Sequence, residues 1–121
     1  MRDGNATEFP QVDMIMWGAT GFIGSLLAGY LWPRYGATGE IRFALGANSR
    51  EELEAVRKDL GAGDDLPLIV GDAFDEPFLN EMVKHTKLVV STVGPYARLG
   101  SSLVAACAAS GTDYCDLSGE P

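Results

Sequence analysis

Apolar residues along the chain alternate between two spacings. The stretch "VDMIMW" (Val12 to Trp17) is a short, largely apolar run of the kind a buried strand has, and from Phe22 onward the period lengthens. Phe22, Ile23, Leu26, Leu27, Tyr30 and Leu31 fall at i, i+1, i+4, i+5, i+8 and i+9, one face of an amphipathic helix that Pro33 is expected to end. The same exchange of strand for helix then recurs. "IRFAL" (Ile41 to Leu45) predicts a strand, and Arg50 to Leu60 a surface helix with Leu53, Val56 and Leu60 on one stripe and Gly61 as a stop signal. "PLIV" (Pro67 to Val70) predicts the third strand, and Glu76 to Lys84 a helix with Pro77 in its first turn. "LVVSTV" (Leu88 to Val93) has the β-branched density of a central parallel strand, cut off by Gly94-Pro95. A small-residue helix over Gly100 to Ser110 and a strand over Thr112 to Leu117 complete the series. Strands alternating with helices through short loops require crossovers, so the expected architecture is α/β, one parallel sheet with helices on both faces. Residues 1–11 are expected to be a loosely ordered leader and residues 12–121 a single domain.

Composition narrows the function. The chain has 121 residues, 46% hydrophobic and 21% charged, a balance suited to one globular domain. Its formal charge of -8 repels phosphate backbones and anionic membranes, and the nine Lys and Arg residues form no patch, so no nucleic-acid partner is expected. No apolar run reaches the roughly 18 to 20 residues of a membrane span, and the N-terminus lacks the apolar core of a secretory signal. The expected location is the cytoplasm. Cys107 and Cys115 are too few for a disulfide framework or a structural zinc site and are expected to be buried thiols. His85, the single histidine, sits at the end of the third predicted helix, where a structural role is expected. No Ser-His-Asp, Cys-His or Tyr-x-x-x-Lys set can be placed, so no catalytic residue is assigned.

The chemistry concentrates in the turn between the first strand and the first helix. Gly18, Gly21 and Gly24 are spaced three apart, and the loop they form lies at the carboxyl edge of the sheet, where a helix begins. Such a helix presents unsatisfied amides and a partial positive charge, the setting in which a pyrophosphate binds. Gly18 would allow the tight turn, Gly21 would let a phosphate reach the backbone, and Gly24 would let the helix lie close to the sheet. Gly18, Ala19, Thr20, Gly21, Phe22 and Ile23 are therefore the candidate pyrophosphate residues of a dinucleotide.

The ends of the later strands indicate which dinucleotide. After the second strand, Asn48, Ser49 and Arg50 can all donate hydrogen bonds, and the first acid, Glu51, comes late and on the following helix. A 2′-phosphate needs such donors and no acid, so NADP is favoured, with NAD still open. Asp72 and Ala73 follow the third strand, where adenine would rest, although Asp72 or Asp75 could equally cap a helix. Val93, Gly94, Pro95 and Tyr96 would lie toward the nicotinamide.

Two segments carry a family resemblance. "WGATGFIG" together with "VVSTVGPYARLGSSLVAACAASGTDYCDLSGEP" is similar to the N-terminal domain of the saccharopine dehydrogenase-like oxidoreductases, most closely the bacterial branch that includes trans-acting enoyl reductases. The resemblance implies a Rossmann-type doubly wound sheet, NADP, and hydride transfer to a small-molecule or acyl substrate in the complete protein. It also exposes a departure. Family members commonly have Ala-Gly-Arg-Ser at the end of the second strand, where this chain has Gly46, Ala47, Asn48 and Ser49, so Asn48 replaces the arginine expected near the 2′-phosphate. Complete members continue past the Gly119 to Pro121 segment into the region that supplies the substrate pocket and interfaces. This chain is accordingly expected to be an excised domain, inactive alone and prone to self-association through uncovered apolar surface. Two other readings stay open: a non-catalytic NADP-sensing domain, and an extended short-chain-type sugar-nucleotide epimerase or reductase.

Overall fold

The first apolar run forms β1 (Val12–Trp17) and the helical period after it forms α1 (Phe22–Leu31). In the computed structural model, which describes residues 9–92 and 97–116, the chain continues as β2 (Phe43–Ala47), α2 (Arg50–Asp59), β3 (Leu68–Val70), α3 (Glu76–Met82), β4 (Thr86–Ser91), α4 (Ala97–Ser110) and β5 (Asp113–Asp116). Every strand pair is parallel and the spatial order is β3-β2-β1-β4-β5. The chain winds one way from β1 to β3, then crosses to β4 and winds the other way. This doubly wound Rossmann arrangement opens a crevice at the carboxyl ends of β1 and β4, where the winding reverses.

Alternate residues of the strands build two cores. Met16, Phe43 and Leu45 pack with Ala28 of α1 and Leu53 of α2, whereas Ile15, Trp17 and Val89 pack with Leu79 and Met82 of α3 and Leu103, Ala106 and Cys107 of α4. Burying each of these leucines contributes about 1.5–3 kcal/mol. Packing begins ahead of β1, because the Phe9 ring lies 5.5 Å from Phe78 and 5.6 Å from His85. His85 ends a 3₁₀ turn (Val83–His85) after α3, with Nδ1 2.6 Å from Gln11 Oε1, at the edge of the sheet away from the crevice. At that same edge Asp13 accepts the backbone N–H of Arg42 at 2.9 Å, and together with the Arg42 side chain and Lys87 this holds its carboxyl below the usual carboxylate range. Among the described residues no helix is long and apolar enough to cross a membrane.

Several elements differ from the sequence pattern for identifiable reasons. Pro33 does not end the first helix abruptly; the chain passes through a π turn (Trp32–Gly36) in which Pro33 occupies a first-turn position that needs no N–H, anchored by buried Trp32. The second strand starts at Phe43 instead of Ile41, because the Ile41 N–H is taken by the Tyr35 carbonyl. The fourth starts early, at Thr86, since the 3₁₀ turn leads directly into it. Only part of the apolar stripe of α1 faces the core: Leu27 and Leu31 pack against it, half-buried. Gly24 and Ala28 are buried, whereas Phe22, Ile23, Leu26 and Tyr30 are exposed, Phe22 by 76%. Periodicity identifies residues that share a face; the closeness of α1 to the turn below it, which only small residues permit, decides which face is buried.

The cysteines correct a second expectation. Cys107 is buried as expected, and desolvation pushes its thiol up to about 11, but Cys115 is exposed. Cys115 stands in register with Val90 on edge strand β5, on the sheet face that α1 and α2 line nearer the centre. Under native conditions an aromatic disulfide reagent should therefore modify one thiol rapidly, and Cys115→Ser should remove that reaction. Rapid modification of two thiols in the folded protein would contradict this assignment.

Candidate dinucleotide site

The turn after β1 is fixed from both neighbouring strands. Gly18 has a φ of +90°, which its lack of a Cβ makes accessible. The N–H groups of Gly18 and Ala19 both donate to the Gly46 carbonyl on β2, at 2.8 and 3.2 Å. On the other side, Thr92 after β4 donates its N–H to the Trp17 carbonyl at 3.0 Å and its hydroxyl to the Gly18 carbonyl at 3.0 Å. A Cβ at Gly24 would run into the Gly18 carbonyl and lie 2.8 Å from Thr92 Oγ1 and 2.9 Å from Ala19 Cα, so α1 can approach this turn only with glycine there. Gly21 differs. A Cβ at that position would meet only the Gly18 carbonyl, at an ordinary 3.5 Å, and its backbone is extended, so packing alone does not require glycine.

The three helices that leave the carboxyl edge on described backbone end differently. Ser49 Oγ accepts the Glu52 N–H at 3.2 Å and caps α2, and Asp75 Oδ1 accepts the Phe78 N–H at 3.2 Å and caps α3. The N-cap of α1 is Gly21, with no side-chain hydrogen bond, and its first turn contains no acid. The first helical bond runs from Ser25 N–H to the Gly21 carbonyl at 2.9 Å. The amides of Phe22, Ile23 and Gly24 precede it, and the partial positive charge of the helix end is not offset by any residue of its own.

That open helix end borders a crevice of about 380 Å³. Of the residues expected to form the site, Gly18, Thr20, Gly21, Asn48, Asp72 and Ala73 line it. Asp72 does not cap α3; its Oδ1 accepts the Phe74 N–H at 2.8 Å within the turn, and Asp75 is the cap. Ala19 is fully buried, with its amide held by Gly46, so it shapes the turn without lining the crevice. The Phe22 and Ile23 side chains point to solvent, leaving their backbone as the part near the turn. Ser49 caps α2 and exposed Arg50 opens it, and neither lines the crevice. Val93, Gly94, Pro95 and Tyr96 lie outside the described residues.

Trp17, Ala47, Phe74 and Thr92 also line the crevice and were not singled out from the sequence. Trp17 had a signal in the form of Gly46, because a Cβ there would come within 2.5 Å of Trp17 Cε3, and a glycine inside a strand often marks such an approach. Phe74 had one too, as a lone aromatic in the polar turn "GDAFD".

Residues 14–120 match the family described as saccharopine dehydrogenase NADP binding domain. The chain belongs to this family. Its cofactor is accordingly NADP, and the resemblance carried by the glycine turn and the segment after β4 holds. A trans-acting enoyl reductase of Mycobacterium tuberculosis is 47% identical over 111 residues, covering 91% of this chain and 26% of that protein. The saccharopine dehydrogenase (L-Glu forming) of Saccharomyces cerevisiae has a similar structure, with a TM-score of 0.68 and 17% identity over 87% of this chain and 21% of its own. A short-chain dehydrogenase/reductase of Veillonella parvula in complex with NADP gives a TM-score of 0.68 at 14% identity, over 87% of this chain and 46% of its own. At such identities the structural likeness shows the fold alone. The chain spans about a quarter of the length of the curated relatives it matches.

The two later glycines of the turn should separate in experiment. Gly24→Ala should destabilise the fold by about 1–3 kcal/mol, since the methyl group meets backbone that cannot move aside. Gly21→Val should cost about 1 kcal/mol or less yet weaken NADPH binding at least tenfold. Urea unfolding and calorimetric titration measure both effects, and a Gly21→Val protein that binds normally would contradict the assignment.

Proposed function

We propose that this chain is the cofactor-holding domain of an oxidoreductase that reduces an unsaturated acyl substrate with NADPH. The observation that carries the proposal is the open N-terminus of α1 beside a crevice whose β2 edge offers an amide side chain, Asn48, in place of an acid. The amides of Thr20, Phe22 and Ile23 would receive the pyrophosphate, with Gly21 leaving room for its approach. Asn48 would donate to the 2′-phosphate, and the Ser49 hydroxyl, which caps α2 and does not line the crevice, would still have its proton to donate. Arg50, on the first turn of α2, would add long-range attraction for that phosphate. Asp72 and Ala73 would border the adenine, and Val93 to Tyr96 the nicotinamide. Bound NADPH supplies the hydride; the residues of this chain bind and orient it.

The similarity to mycobacterial proteins called enoyl reductases supports the proposed acyl substrate, and the pocket that selects it is proposed to belong to sequence those proteins carry beyond the matched quarter. The exposed part of the α1 stripe, Phe22, Ile23, Leu26 and Tyr30, would give the chain a surface for self-association. A cytoplasmic setting fits this reading, and both cysteines are free thiols, which a reducing compartment maintains.

Calorimetry with both cofactors tests the proposal. NADPH should bind more tightly than NADH. Asn48→Arg should widen the gap, because a charge-assisted hydrogen bond to phosphate is about twice as strong as a neutral one. Asn48→Asp should narrow or reverse it, since a carboxylate repels the 2′-phosphate and accepts from a free ribose hydroxyl. A clear wild-type preference for NADH would overturn the assignment of the β2 edge.

A further inference from the structure

Phe74 is the largest apolar side chain at the crevice whose exposure is unexplained by packing. Phe74 is 58% exposed, although it follows β3 closely and sits four residues before Phe78, which packs against Phe9 and Trp17. Phe74 takes no part in those ring contacts. Its backbone is nonetheless firmly held. The Phe74 N–H donates to Asp72 Oδ1 at 2.8 Å, the Asp75 N–H donates to the Asp72 carbonyl at 3.0 Å, and Asp75 in turn caps α3. A mobile loop would leave an aromatic ring free to fold back onto the surface. This turn instead holds the Cα of Phe74 at the rim of the crevice, beside Asp72 and Ala73.

We infer that Phe74 is the stacking platform for the purine of the dinucleotide, beside the Asp72 carboxylate that the proposed function already sets against the adenine. The inference rests on the proposed function, since it assumes that the adenosine half occupies the β3 side of the crevice. The two residues divide recognition between them. An aromatic face accepts any base, because every base has a π-face, and so contributes affinity without selectivity. A carboxylate accepts only from a donor, and with Oδ1 engaged by the Phe74 amide, Asp72 retains Oδ2 for the exocyclic amino group of adenine. The hydrogen bond between them links the two functions, because the atom that orients the carboxylate belongs to the residue that carries the ring.

Calorimetric titration of the chain with 2′,5′-ADP, inorganic pyrophosphate, NADPH and the hypoxanthine analogue of NADPH tests this. Phe74→Ala should weaken 2′,5′-ADP and both dinucleotides about tenfold, leave pyrophosphate binding and the unfolding midpoint unchanged, and preserve the preference for adenine over hypoxanthine. Phe74→Trp should restore affinity. Asp72→Asn should instead reduce the adenine preference. Wild-type binding of 2′,5′-ADP that Phe74→Ala leaves intact would overturn the stacking role while the dinucleotide reading stands. Failure of the wild-type chain to bind 2′,5′-ADP or NADPH at all would overturn both.

Discussion

The Gly18 carbonyl oxygen is the fixed point of the site. It accepts the Gly21 N–H at 3.1 Å and the Thr92 hydroxyl at 3.0 Å, and it lies where any side chain at position 24 would have to go. Three strands and one helix are brought to register by this small region: β1 leads into it, β2 holds its amides through Gly46, the residue after β4 closes it from the other side, and α1 departs from it at contact distance. Because interiors are packed as densely as organic crystals, such an arrangement has little freedom to relax. The direction of α1 is therefore set by backbone contacts, and with it the direction in which its free amides point.

An acidic chain that binds a polyanion must do so through local fields. The net charge of -8 opposes NADP at long range, and the acids Glu51 and Glu52 in the first turn of α2 and Glu76 in that of α3 neutralise two of the nearby helix ends. Only α1, among the three with described N-caps, keeps its positive end. The same fold thus closes two helix termini with its own side chains and leaves the third open, and the proposed pyrophosphate position uses that one opening on a surface that otherwise repels anions.

Much of this was legible in the sequence, and the part that was not has physical causes. Period and punctuation located β1 and α1 without error at their inner ends, and the three-residue glycine spacing indicated three separate tasks. Gly18 and Gly24 have the backbone and packing roles that spacing suggested. The shifted starts of β2 and β4 come from adjoining turns, whereas the misread features of the site and of α1 depend on contacts distant in sequence. The buried face of α1 is set where Gly24 meets Gly18 and Thr92, and it takes only Leu27 and Leu31 from the apolar stripe. Trp17 enters the crevice because Gly46, on another strand, makes room for it. Cys115 is exposed because it stands on an edge strand, a position that the short segment around it does not reveal. Ser49 illustrates competition between roles: a hydroxyl beside a strand end can serve a ligand or a helix, and here its oxygen caps α2.

The central claim is that the first-turn amides of α1 receive the pyrophosphate. Two-dimensional ¹H–¹⁵N NMR of the chain titrated with NADP examines those amides one by one. The largest shifts should fall on Thr20, Phe22 and Ile23, while the amides of Glu52 and Phe78, already held by Ser49 and Asp75, should move little. Shifts centred on the first turns of α2 or α3, or at the opposite sheet edge around Gln11 and His85, with Phe22 and Ile23 unmoved, would contradict the account.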